Sequence, residues 1–297
     1  MGCGVPRPAG GSALSALTPL AVLLAASFLW GLAWLPLKAL ERLGLSGVAL
    51  TFIACGAAAA VLVPRLVRER ASWRAEKRWL LMIALLGGYA NLAFTVAIIY
   101  GEVVRVMVLF YLLPVWGVLG GKLFLGERLD AARIIAVALA LSGAFLVLGG
   151  LRAFDAPIAW TDVLAITCGL TYASNNIAFR AHQQIPIASK TAAMLLGATI
   201  LAAALLAVGV QPWPTTSAGG WLAAIGYGLA WLLVATLGTQ FGVTHMEAGR
   251  ASVIIILELV TAVTSALWIG GERMSVTEML GGALILAAAV IEARRAN

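Results

Sequence analysis

Ten runs of residues are apolar over about the length that crosses a bilayer: 17–39, 45–63, 79–99, 103–125, 131–150, 160–180, 188–210, 219–244, 249–270 and 276–293. A helix needs about 20 such residues to span the hydrocarbon core. Ten spans therefore consume most of the 297 residues and leave no room for a separate soluble domain. Only 11% of the chain is charged, against about a quarter in an ordinary soluble domain. In hydrocarbon the backbone must satisfy its own hydrogen bonds, which apolar runs of this length do as helices. The sequence predicts an all-α membrane protein with ten transmembrane helices. Its breaks resist burial: Pro64 with the basic segment 65–78, the Gly126-Glu127-Arg128 turn, the Asp155-Ala156-Pro157 loop and the Gln211-Pro212-Trp213-Pro214 loop.

Charge gives the orientation. With the N-terminus cytoplasmic, that side collects fifteen of the 20 basic residues, six of them between Arg65 and Arg78. Lys38, Arg42, Arg105, Arg152 and Arg273 face the other side. The positive-inside rule then places both termini in the cytoplasm, and the net charge of +7 reads as topology rather than as a nucleic-acid partner. Of the three cysteines, Cys55 and Cys168 lie within apolar helices and read as packing residues. The first run is too long for a signal-peptide core and is expected to be a mature span.

The chain repeats itself. Glu102-Val103-Val104-Arg105 opens the fourth span and Glu247-Ala248-Gly249-Arg250 opens the ninth, 145 residues later. At the same offset Gly126-Glu127-Arg128 and Gly271-Glu272-Arg273 close those spans, and Trp30 with Lys38 parallels Tyr172 with Arg180. Two five-helix halves, 1–150 and 151–297, are implied. Because five is odd, the second half enters the membrane from the opposite side, giving inverted repeats, an arrangement in which secondary transporters hold substrate between the halves.

The fourth span, with Pro114 in Tyr111-Leu112-Leu113-Pro114-Val115-Trp116 and a terminal Gly126-Glu127-Arg128, resembles the EamA branch of the drug/metabolite transporter superfamily, as does Trp30-Gly31 in the first span. Leu259 follows Glu258 where that family often carries Pro, which argues against a kink in the ninth span. Aromatic loading makes the ten-helix exporters of aromatic and other neutral amino acids, the YddG type, the most similar group. The resemblance implies a carrier in the cytoplasmic membrane that exports amino acids by alternating access. Export of other metabolites or cationic drugs is the alternative.

Candidate substrate-binding residues are uncharged and lie within spans. Ser27, Trp30, Trp34 and Lys38 recur at helical spacing and share one face; Tyr172, Asn175, Asn176 and Arg180 do the same in the sixth span. Adjacent carboxamides leave donors and acceptors that lipid cannot satisfy, so Asn175 and Asn176 either face a cavity or glue helices together. Tyr89, Asn91, Tyr111 and Gln240 complete the set. Aromatic planes and amides suit a neutral or zwitterionic solute. Glu258 is the acidic residue well inside a span, where a charge costs about 2.5 to 3.5 kcal/mol on insertion scales. It reads either as a proton-coupling group or as a neutral acid bonded to Thr261 or Ser252. Glu102 with Arg105 and Glu247 with Arg250 form i, i+3 pairs that serve either as gates or as helix-end fixtures.

Other classes fit poorly. His182 and His245 lie far apart, so no metal centre is expected, and no catalytic motif or cofactor site is visible for an intramembrane enzyme. The expected partners are a small-molecule substrate and the lipid bilayer, with no obligate protein partner evident.

Overall fold

The computed structural model describes residues 13–101, 103–151, 157–269 and 275–294, and these are helical with no strand. Eight helical stretches are long and apolar enough to cross a membrane: Thr18–Arg42, Gly47–Arg68, Lys77–Tyr100, Arg105–Leu125, Ile187–Ala207, Ala218–His245, Ala248–Ser265 and Val276–Arg294. Two helices of the expected ten fall outside that group. One is α8 (Ala131–Val147), which has 17 residues. The other is α9 (Trp160–Ala181), 22 residues long and carrying Asp162, Asn175, Asn176 and Arg180. Its polarity has a packing reason: α9 contacts α5 (Lys77–Tyr100), α6 (Val103–Phe110) and α7 (Leu113–Leu125), so protein rather than lipid surrounds much of it.

Four of the apolar stretches are interrupted. The first divides into α1 (Ala13–Gly31) and α2 (Trp34–Arg42). The stretch Arg105–Leu125 divides at Tyr111 and Leu112, where Pro114 supplies no backbone donor and the Val115 amide bonds the Leu112 carbonyl at 2.9 Å instead. Between α11 (Ala218–Tyr227) and α12 (Leu233–His245), residues Gly228–Leu232 form a π-helical turn. Finally, α13 (Ala248–Ile255) and α14 (Leu257–Trp268) are separated at Ile256. That break corrects the sequence expectation: it forms without a proline, the Leu259 amide bonding the Ile256 carbonyl at 2.9 Å in a tightened turn.

Breaks pack on breaks. A Cβ added at Gly31, where α1 ends, would stand 2.5 Å from the carbonyl oxygen of Glu258 and 2.5 Å from the Cβ of Thr261. Only glycine lets α1 approach α14 this closely. Elsewhere α3 (Gly47–Arg68) packs on α10 (Ile187–Ala207), α8 on α15 (Val276–Arg294), α5 on α9 and α10, α1 on α12 and α14, and α7 on α9 and α13. These partners join residues before 150 to residues after 157, so the core lies at the seam of the two parts of the chain.

Candidate functional site

The breaks bring aromatic and polar side chains from both parts of the chain together. Tyr111, at the break of the fourth stretch, donates its hydroxyl to Oε1 of Glu258 at 2.8 Å. Tyr172 of α9, one turn from Asn176, lies within electrostatic range of Glu258, and its ring stands 6.0 Å from Phe110. The Asn175 carboxamide nitrogen reaches Asn176 Oδ1 at 3.5 Å and the Met194 sulfur at 3.6 Å, and Gln240 of α12 reaches the same sulfur at 3.9 Å. A polar path thus runs from Gln240 through Met194 and Asn175 to Asn176, and Tyr172, one turn away on α9, comes within electrostatic range of the pair formed by Tyr111 and Glu258.

That path is incompletely satisfied. Asn175 is fully buried and Gln240 is 1% exposed, yet Asn175 Oδ1 and Gln240 Oε1 have no hydrogen-bond partner among the described residues. Thr191 Oγ1, one turn from Met194, and Trp116 Nε1 are in the same condition. A thioether is a weak acceptor, so it relieves the amide nitrogens only partly. Unpartnered polar atoms in an apolar interior cost free energy that water or a ligand removes.

The other candidates are engaged separately. Trp30 donates to Thr239 of α12 at 3.1 Å, and Trp34 donates to Ser265 of α14 at 2.9 Å, with Lys38 5.0 Å above its ring. Trp30 and Trp34 thus lie on either side of the interruption at residues 32–33 and bond different helices. Tyr89 bonds Thr167 at 2.9 Å, and Asn91 donates to the Gly87 carbonyl of its own helix at 2.8 Å.

Two ends of the bundle are tied by charge. Arg105 bonds Asp162 at 2.9 Å and the Pro157 carbonyl at 3.0 Å, while Glu102 lies outside the described residues. Glu247 pairs with Arg133 rather than with Arg250, which donates to the Ala293 carbonyl. Arg133, 1% exposed, also meets Glu292 at 3.4 Å and Glu127 at 3.5 Å. Glu127 accepts from the amides of Ala248 and Gly249 at 2.6 and 3.2 Å, so its charge caps the N-terminus of α13. Burial nonetheless holds the Glu127 carboxyl above its ordinary range, outweighing those amides; Glu247 adds to the rise and Arg133 opposes it. Beside this cluster opens a cavity of about 470 Å³, lined by residues including Glu127, Arg128, Arg180, Gln183 and Glu247.

The model of the EamA-like transporter family matches this chain twice, over residues 17–149 and 159–292. The chain belongs to the EamA-like transporter family. An uncharacterized transporter of Archaeoglobus fulgidus is 26% identical over 214 residues, covering 72% of this chain and 76% of that protein. One solved crystal structure shares the fold with a TM-score of 0.75, over 94% of this chain and 98% of that one, at 19% identity. This EamA-like protein is accordingly a multi-pass membrane protein of a transporter family.

Several residues that shape the site escaped sequence reading. Met194 and Thr191 of this EamA-like chain sit in a run of small and aliphatic residues that reads as packing. Arg133 and Lys190 count in the sequence only toward the cytoplasmic-side charge, yet both are buried; Lys190 caps the end of α9 by donating to the carbonyls of Phe179 at 2.6 Å and His182 at 3.1 Å. Glu292 carries a readable signal, since a carboxylate one turn inside an apolar run needs a partner.

Proposed function

We propose that this EamA-like transporter exports amino acids, aromatic or other neutral ones, across the cytoplasmic membrane by alternating access. In this reading residues 1–150 and 151–297 form two five-helix repeats, ten helices in all, inverted in the bilayer with both termini cytoplasmic. The helix contacts support it: α3 with α10 and α8 with α15 join equivalent members of the two copies, and α1 with α12 mirrors α5 with α9. The fifteen-to-five split of basic residues supports the orientation.

The observation that carries the substrate reading is the buried pair Asn175 and Gln240, whose carbonyl oxygens lack partners beside Met194. Two such acceptors suit an ammonium group, the Trp116 and Trp30 indoles lend apolar surface, Trp116 adding a donor without a partner among the described residues, and Tyr111 and Tyr172 offer planes for a side chain to stack on. Glu102, Arg105, Glu247 and Arg250 then belong to end closures rather than to the substrate. Glu258 together with the two amide acceptors favours a second reading, a cationic amphipath.

Proteoliposomes loaded with a panel of labelled amino acids test the choice. Saturable, trans-stimulated flux of aromatic or aliphatic amino acids is expected. No amino-acid flux alongside saturable flux of a lipophilic cation would replace the first reading with the second.

A further inference from the structure

An open groove of about 340 Å³ runs along the outside of α5 and α10. Its walls are aliphatic, with Leu81, Leu85 and Leu196 among them and Ile200 65% exposed at the rim. Its floor is narrow because the helices cross through glycine: a Cβ at Gly88 would meet the Gly197 carbonyl carbon at 2.6 Å. The large side chains flanking that contact line a trough between the two helices. One charged residue, Lys77 at the start of α5, lines the same groove.

Lys77 does not stand alone. Arg65, Arg68, Arg70, Arg74 and Arg78 are likewise exposed within fourteen residues of sequence, and none forms an ion pair among the described residues. The two acids in that segment are turned toward the protein, Glu69 to the Ser189 hydroxyl and Glu76 to His182 at 3.6 Å. The segment thus presents uncompensated positive charge where the apolar groove begins. A greasy trough headed by cations complements a molecule with an acyl chain and an anionic headgroup.

We propose that this groove is a binding site for one anionic phospholipid, its phosphate at Lys77 with Arg74 and Arg78 close in sequence, and an acyl chain along Leu81, Leu85 and Ile200. Because α5 lies in the first family match and α10 in the second, the lipid touches both copies and splints their seam. The positive-inside rule alone asks only for charge on one side of the membrane; the groove adds a place for a single molecule.

The test is native mass spectrometry of the full chain in detergent, titrated with dioleoyl phosphatidylglycerol or dioleoyl phosphatidylcholine. One phosphatidylglycerol is expected to be retained in preference to phosphatidylcholine, with Lys77→Gln weakening it about fivefold, the usual weight of one basic residue at an anionic lipid surface. Ile200→Trp, which fills the trough and leaves every charge in place, is expected to reduce retention as well. Arg42→Gln, an exposed charge elsewhere, leaves it unchanged. Excess glycerol 3-phosphate does not displace the lipid. Equal retention of the two lipids, indifference to Lys77→Gln or to Ile200→Trp, or displacement by glycerol 3-phosphate each overturns the proposal.

Discussion

The hydroxyl of Tyr111 donates to Glu258 at 2.8 Å, joining the break between α6 and α7 to the break between α13 and α14. A side-chain bond placed at two helix interruptions holds the discontinuities in register, and it engages the one carboxyl of the central path. Tyr111→Phe removes the donor and leaves the acceptor in place. A loss of about 1 to 3 kcal/mol in unfolding free energy is expected, read by thermal or denaturant unfolding in detergent. Glu258→Gln keeps an acceptor for Tyr111 and is expected to unfold close to the parent. The same variant separates the two roles of the carboxyl: loss of accumulation driven by a pH gradient with intact counterflow marks proton coupling, whereas unchanged pH dependence leaves Glu258 as an interhelical bond.

Gly31 meets the backbone of α14, which cannot rotate away as a side chain can. Gly31→Ala places a Cβ 2.5 Å from the Glu258 carbonyl oxygen, and Gly31→Val adds two methyl groups to the clash. Overpacking of this kind costs about 1 to 3 kcal/mol, more for valine than for alanine. Melting temperatures of the two variants should fall in that order. A valine variant that melts with the parent would show that α1 and α14 do not need this approach.

Function and stability are expected to part company at Asn175. Its Oδ1 is buried without a partner, so Asn175→Leu removes an unmet polar group and should leave stability unchanged or raised. If the carbonyl serves substrate, transport falls by at least about tenfold, the equivalent of one hydrogen bond of about 1.4 kcal/mol. Gln240→Leu is expected to behave alike. Destabilisation with normal transport by the folded fraction would return both amides to the role of helix glue.

Hydropathy runs made the helical class and most helix positions legible, because lipid demands long apolar segments and says so in composition. Trp30, Tyr111, Tyr172, Asn175, Asn176, Gln240 and Glu258 stood out as polar or aromatic groups inside such runs. Their partners did not. Met194 and Thr191 enter the site through the packing of α10 against α5, a tertiary fact with no local signature. The break at Ile256 lacked its proline, and Arg133 counted only as one more cytoplasmic-side cation because nothing in its own helix announces Glu127, Glu247 and Glu292 converging from three other segments. The i, i+3 pairing of Glu247 with Arg250 lost to Arg133, whose long side chain reaches the α13 N-terminus where the carboxylates gather.

That gathering yields a prediction about pH. Glu127 has its carboxyl above the ordinary value of 4.5, chiefly because burial in this packed cluster removes it from water, and we take the packed cluster as the closed form of this end. An opened end would rehydrate it and return it toward that value. The closed form therefore binds the proton more tightly, and acidification through the interval between the two values favours closure, while raising pH through it weakens closure. The neighbours that share the field are Glu247, Glu292 and Arg133, the last held by all three acids. Gln183 lines the adjoining cavity and supplies a reporter. With Cys3, Cys55 and Cys168 replaced and Gln183→Cys introduced, labelling by a membrane-impermeant maleimide, corrected for thiol ionisation with an exposed control site, should slow as pH falls toward the carboxylate range. Glu127→Gln fixes the neutral form, so its labelling should be slow and indifferent to pH. Labelling that quickens on acidification, or an unaltered pH profile in Glu127→Gln, would mean that another group governs this end. Arg133→Ala supplies the structural counterpart: it strands buried carboxylates and is expected to cost about 3 to 5 kcal/mol, part of which Arg133→Leu combined with Glu292→Leu recovers.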